Sequence, residues 1–311
     1  MQNQYLPEGG RITTTVNYEY LSSVSGLEKA MEKQKILEAN VVLCDSDFCL
    51  HIDLHCMKGI MPRNEVQYTK TNEEIKDIAV LTRVGKPICF KIIGFTRNKY
   101  GEICALLSRK AAQKECIDNY ISTLIPGDII PSKITHMENF GAFVDIGCGI
   151  VSLLSIDCIS VSRISHPKDR FSVGDNIHTV VKLIGEDGRI YVSHRELLGT
   201  WEENVALFTP GQTVAGKIRS IESYGIFVEL MPNLAGLAEI KSGVKINQTA
   251  AVYIKSIIPE KMKIKLIIID SHSDTESKKG IKYFVDTQKI FHMDHWMYSP
   301  KNTLKIIESV F

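Results

Sequence analysis

Phe140-Gly141-Ala142-Phe143-Val144-Asp145 and, 84 positions later, Tyr224-Gly225-Ile226-Phe227-Val228-Glu229 decide how this chain folds. Read as strands, successive side chains point to opposite faces. In the first stretch Ala142, Val144 and Ile146 share one face, and Phe143 lies with Asp145 on the other. In the second, Ile226, Val228 and Leu230 take the apolar face, and Phe227 lies beside Glu229. The apolar face belongs to a core, so Phe143 and Phe227 fall on the wet side. Each is joined by the ring just before the glycine, Phe140 or Tyr224, which outlines a stacking platform.

The correspondence extends well beyond these hexapeptides. Pro126-Gly127 recurs as Pro210-Gly211, Lys133-Ile134 as Lys217-Ile218, Leu153 as Leu237 and Ile156 as Ile240, all at the same offset of 84. A constant offset without a gap is the mark of a duplicated structural unit.

Composition narrows the classes of function. Of 311 residues, 44% are apolar and 23% charged, as in ordinary globular proteins. No apolar run reaches the ~20 residues that span a bilayer. Met1-Gln2-Asn3-Gln4-Tyr5 lacks the basic and apolar parts of a signal peptide, so a cytoplasmic location is expected. All eight cysteines precede residue 160 and none forms Cys-x-x-Cys, which predicts buried reduced thiols rather than disulfides or zinc ligands. The net charge of +1 argues against bulk electrostatic binding of nucleic acid. Its distribution is uneven: residues 126–200 hold seven basic against nine acidic residues, and residues 210–270 hold eight against five. Contact with a polyanion should lean on the later segment.

Taken in order, residues 1–24 read as irregular, and Ser25-x-x-Glu28 reads as a capping box opening a helix to about Leu37. Alternating apolar residues then predict strands from Val41 to Leu107, with a polar helix or loop over Asn72 to Ala79 and a turn at Asn98 to Gly101. A helix follows from about Lys110 to Thr123. Strands over Ile177–Leu183 and Arg189–Ser193 are joined by the tight turn Glu186-Asp187-Gly188. Thr200-x-x-Glu203 caps a short helix carrying Trp201. Residues 270–280 read as a connector. The tail has a strand-like Tyr283-Phe284-Val285 and a helix after Ser299-Pro300.

Five short strands bent at glycines in roughly 70 residues predict a small closed barrel of the oligonucleotide/oligosaccharide-binding (OB) type. Gly127, Lys133-Ile134, Phe140 to Gly147, Val173-Gly174-Asp175 and Val192-Ser193 together resemble the S1 RNA-binding domain, the repeat unit of bacterial ribosomal protein S1. Pro210 to Val214 and Leu237-Ala238-Glu239-Ile240 resemble it again. Residues 36–110 are similar in degenerate form, with Phe48, His51, Ile52, Asp53 and Leu54 lying 92 positions before Phe140, Phe143, Val144, Asp145 and Ile146. The fold expected is all-β: tandem five-stranded OB barrels joined by short helices, with a small α+β C-terminal extension. Its divisions are 1–35 (extension and helix), 36–110 (first barrel), 111–125 (linker helix), 126–200 (second barrel), 201–209 (linker helix), 210–270 (third barrel) and 271–311 (C-terminal extension).

The resemblance implies an RNA surface made of Phe140 and Phe143 in the second barrel and Tyr224 and Phe227 in the third. The histidine that the family carries on its third strand falls here on Ser155 and on Glu239, a departure that lowers the expected affinity. Lys133, Lys217, Arg219, Lys263 and Lys265 are the candidate phosphate contacts beside the rings. The alternative for the rings is packing, and for the lysines a solvated strand face. His136, His166, His178 and His194 lack ligand spacing and read as surface histidines, while His292-x-x-His295 could share a helical face. No Gly-x-x-x-x-Gly-Lys-Ser/Thr, Gly-x-Ser-x-Gly or His-Glu-x-x-His occurs. The expectation is therefore a non-enzymatic protein without cofactor, metal or small-molecule substrate. It would bind single-stranded RNA, messenger above all, at the 30S ribosomal subunit. A non-catalytic docking adaptor working through protein contacts is the alternative.

Overall fold

The computed structural model describes residues 4–69, 74–98, 101–273 and 280–311. Fifteen strands form three closed barrels. The first comprises β1 (Leu37–Cys44), β2 (Leu50–Asp53), β3 (Lys58–Met61), β4 (Pro87–Arg97) and β5 (Ile103–Ser108). The second comprises β6 (Ile129–Glu138), β7 (Gly141–Asp145), β8 (Val151–Ser155), β9 (Asn176–Ile184) and β10 (Ile190–Ser193). The third comprises β11 (Thr213–Glu222), β12 (Gly225–Met231), β13 (Leu234–Ala238), β14 (Thr249–Ile258) and β15 (Lys263–His272). Each closes in the same order, with its fifth strand between the third and fourth and parallel to the third. The degenerate first copy is thus a barrel like the others. Its interior holds Leu50, Ile52, Ile88, Phe90 and Leu107. In the third barrel Ile218, Ile226, Val228, Val252 and Leu266 fill the equivalent space.

Helix ends follow their hydrogen-bonding chemistry. The first 24 residues are not irregular throughout: α1 (Thr15–Leu21) starts where the Thr14 hydroxyl accepts from Asn17 N. α2 (Val24–Glu32) starts earlier than the Ser25 capping box implies, because Ser23 takes the Gly26 N–H. It stops at Gln34, which adopts φ 52° while Lys35 N donates to Ala30 O, a left-handed cap that frees Leu37 for β1. The expected polar segment after Asn72 includes α3 (Asp77–Leu81); residues 70–73, and residues 99–100 of the Asn98–Gly101 turn, lie outside the described residues. Ser108 caps α4 (Arg109–Asn119), and the Thr200–Glu203 capping box forms over α5 (Trp201–Val205) as its residues require.

The C-terminal extension differs from expectation. β15 reaches His272, and residues 274–279 of the expected connector lie outside the described residues. Tyr283 to Val285 do not form a strand, and no helix follows Pro300. Instead the tail doubles back, pairing β16 (His295–Met297) with β17 (Glu308–Val310). Trp296 and Tyr298 are buried with the third-barrel core.

Contacts divide the chain into two compact units: Met1–Leu124 with Pro131–Lys133 and Asp145–Val151, and Ile125–Ile130 with Ile134–Val144 and Ser152–Phe311. All eight cysteines are free thiols, five buried and three half-buried.

Candidate nucleic-acid interface

The two ring pairs have nearly the same geometry. Phe140 and Phe143 meet edge to face at 6.0 Å and 89°, and Tyr224 and Phe227 at 6.1 Å and 88°. Phe140 and Tyr224 are 55% and 67% exposed, which leaves their faces open to a planar ligand. A T-shaped pair stabilises its own geometry by the ring quadrupoles, so each platform is preorganised. The glycine between the rings is required by crowding. A Cβ at Gly141 would collide with the Leu154 carbonyl oxygen, and one at Gly225 would lie 2.7 Å from the Ala238 carbonyl oxygen, with φ at 154°.

His136, read from sequence as an unremarkable surface residue, belongs to the second platform. Its ring lies over Phe143 at 6.0 Å and 23°, with Nε2 2.6 Å from the Glu138 carboxylate. The third barrel has Ser220 at the matching place, 84 positions on, so only the second has a third stacked ring system there. Nothing in the spacing of His136 signalled this, because the contact depends on the register between β6 and β7. Ser155, at the end of β8, is half-buried. Glu239 is exposed and faces Lys255 at 3.6 Å.

The structure sorts the candidate cations. In the third barrel Phe227 pairs with Leu237, and Leu237 with Lys265, so Lys265 continues the row of the platform. Lys263, two residues earlier, is exposed on the same face. Lys217 pairs with Glu229 in the β11–β12 ladder and is half-buried. Two candidates are held elsewhere, Arg219 by carboxylates and Lys133 by the N-terminal segment. A register shift between Ile218 and Ser220 turns Arg219 toward the Glu229 carboxylate (2.8 and 3.2 Å), with Asp169 at 3.5 Å, leaving the side chain 10% exposed. A guanidinium so paired has no capacity for phosphate. Lys133 donates to the Glu8 carbonyl oxygen at 2.8 Å, which ties it to the N-terminal segment rather than to the rings.

The acids that share a face with the rings are themselves buried. Glu229 is held by Arg219 and by Arg170 at 2.6 Å. Asp145 accepts from the backbone N–H groups of Glu8, Gly147 and Gly149. Burial and the nearby Glu8 carboxylate push its pKa up to about 7 against those donors. Burial alone would also raise Glu8, but the charge and hydrogen bonds of Arg109 hold it below the usual range.

The first barrel carries a modified version of the site. Phe48 and His51 stand where the rings stand in the other copies. The Arg63 guanidinium covers Phe48 at 4.8 Å and is itself held by the Ile75 carbonyl oxygen and Asp77. His51 pairs with Asp45 at 2.8 Å. His292 and His295 do not share a helix: His292 bonds Asp128 and Asp294, and His295 bonds Glu308 across the tail hairpin. Nor is His194 a surface residue; it is buried, and that pushes its pKa down to about 4.

A family model for the S1 RNA binding domain matches residues 123–195. Small ribosomal subunit protein bS1 of Staphylococcus haemolyticus is 28% identical over 244 residues, covering 76% of this chain and 57% of that protein. The bS1 of Staphylococcus saprophyticus is 33% identical over 141 residues, 43% of this chain and 36% of that one. The bS1 homolog of Bacillus subtilis is 26% identical over 284 residues, 88% of this chain and 70% of that protein. The chain thus spans a little over half the length of the first of these relatives. Residues 123–195 thus match the S1 RNA binding domain, all three barrels share one strand order, and the chain is similar over most of its length to small ribosomal subunit protein bS1.

Proposed function

We propose that the protein binds single-stranded RNA, messenger above all, on the outer faces of its second and third barrels. It acts in translation at the small ribosomal subunit and without catalysis. The observation that carries this reading is the pair of exposed edge-to-face ring platforms. Each presents a π-face that any unpaired base can stack on, at ~1–3 kcal/mol per base. Lys217, Lys263 and Lys265 supply the phosphate contacts of the third barrel. The small positive charge of the whole molecule makes the binding modest and salt-dependent.

The first barrel supports a second role. Arg63 lies over Phe48 where a base would otherwise stack. With no open ring of its own, that barrel fits the alternative of an adaptor part that contacts protein rather than RNA. Oligouridylate affinity measured against salt tests the RNA reading. Three phosphate contacts give a log–log slope of about −2, taking ~0.7 per phosphate on single strands. A flat salt response contradicts it. Sedimentation with ribosomes, with and without a high-salt wash, tests the ribosomal assignment; protein that stays at the top of the gradient in low salt contradicts that part.

A further inference from the structure

The fourth strand of each barrel is bulged against the fifth at the same place. In the first barrel Ile92 pairs with Leu107 and Gly94 with Leu106, skipping Ile93. In the second, Val181 pairs with Val192 and Leu183 with Tyr191, skipping Lys182. In the third, Ile254 pairs with Leu266 and Ser256 with Lys265, skipping Lys255. The sequence offset here is 73 rather than 84, so the equivalence of Lys182 and Lys255 is hidden from a constant-offset comparison. Bulges re-aim side chains, and these two aim a cation along the outer face of the barrel.

In the second barrel that lysine stands at a groove. Leu153, Ser155, Cys158, Lys182, Leu183 and Tyr191 line a cavity of about 190 Å³, with Lys182 Nζ 3.1 Å from Cys158 Sγ. The groove continues the ring platform. Tyr191 pairs with Leu153 and with Leu183. Leu153 matches Leu237, the residue that pairs with Phe227 next to the third platform. One row of outward side chains therefore runs from Phe143 across Leu153 to Tyr191. The third barrel differs: Lys265 takes the place of Tyr191, and Lys255 is paired with Glu239 at 3.6 Å.

We propose that this groove is a second nucleotide subsite of the second barrel, in which a base of the bound RNA stacks on Tyr191 and its phosphate meets Lys182. The inference rests on the RNA-binding reading above and deepens it. Its lining is mostly apolar, as base stacking requires, and Lys182, an exposed residue and the one cation among the lining residues, can exchange its Cys158 contact for a backbone phosphate. Ser155, a short side chain in the lining, leaves the space open. The second barrel, poorer in charge than the third, would thus gain an additional base contact.

The test uses the full chain carrying Tyr224→Ala and Phe227→Ala, so that the third platform is silent, with a labelled 12-nucleotide oligouridylate as probe. Into it are placed Tyr191→Ala, Tyr191→Phe, Lys182→Gln and, separately, Phe140→Ala with Phe143→Ala. Tyr191→Ala should weaken binding about ten-fold, Tyr191→Phe should restore it, and Lys182→Gln should flatten the salt slope by ~0.7. A melting curve for each variant separates lost binding from lost fold. Should Tyr191→Phe bind as weakly as Tyr191→Ala, stacking on that ring is refuted. If the Tyr191 and Lys182 variants bind like their parent while the Phe140/Phe143 variant does not, the groove is overturned and the platform stands. If none of the variants changes binding, RNA recognition by this barrel fails altogether.

Discussion

His194 is buried with its Nδ1 3.0 Å from the Ile159 carbonyl oxygen, and it packs edge to face against Phe171 at 5.2 Å and Tyr283 at 5.6 Å. Nδ1–H donates to that carbonyl, which leaves the neutral imidazole as the form the site accepts. Burial pushes its pKa from 6.5 down to about 4. A base depressed in this way stabilises the fold fully above pH 6.5, and the contribution is lost as pH falls through 4. The drop amounts to about 3 kcal/mol. Urea unfolding of the parent and of His194→Gln between pH 7 and 4 should therefore give curves that converge as pH falls; parallel curves contradict this. His194 also marks a limit of reading residues one by one. Strand alternation placed Phe143 and Phe227 correctly on the outer row, because that depends only on the two-residue period. It could not show that Asp145 and Glu229 on the same row are covered, since the Glu8 N–H on Asp145 and the Arg170 guanidinium on Glu229 come from 137 and 59 residues away. Nor could it show that a register shift turns Arg219 inward beside Lys217, which stays in the ladder.

The N-terminal segment is the element whose role was least legible. Glu8 accepts from Arg109 at 2.6 and 3.0 Å and from Cys89 N at 3.1 Å, and its own N–H donates to Asp145 at 2.7 Å. Residues 9 and 11 donate backbone N–H groups to the buried Glu38 carboxylate. The partners of Glu8 lie about a hundred residues away in sequence, so no local pattern announces them. Removing Glu8 leaves the Arg109 guanidinium buried beside Asp145 with its main hydrogen-bond acceptor gone. Glu8→Ala should cost ~3–5 kcal/mol, read as a lower urea midpoint. An unchanged midpoint would show that the cluster relaxes into water. The barrels, by contrast, were legible as elements. Alternating apolar residues, glycines at the bends and two constant offsets identified all three, including the degenerate one. The tail was not, because the short strands β16 and β17 exist only by pairing with each other.

At the scale of the whole molecule, triplication has produced three barrels of one topology and three different outer faces. The first has its ring covered by Arg63, the second pairs its rings with His136 and a groove, and the third pairs its rings with lysines. Under the proposed RNA-binding role, such division of labour fits a chain whose net charge is only +1, because base stacking rather than charge would then carry much of the affinity. In the proposed role Phe140, Phe143, Tyr224 and Phe227 bind and do not serve as core. The direct measurement is RNA affinity together with thermal melting for the Phe140→Ala/Phe143→Ala and Tyr224→Ala/Phe227→Ala proteins. Each double change should weaken oligouridylate binding, by ~2–6 kcal/mol where both rings are engaged, while the melting temperature hardly moves. Early melting of either variant, or binding equal to the parent's in both, would contradict it.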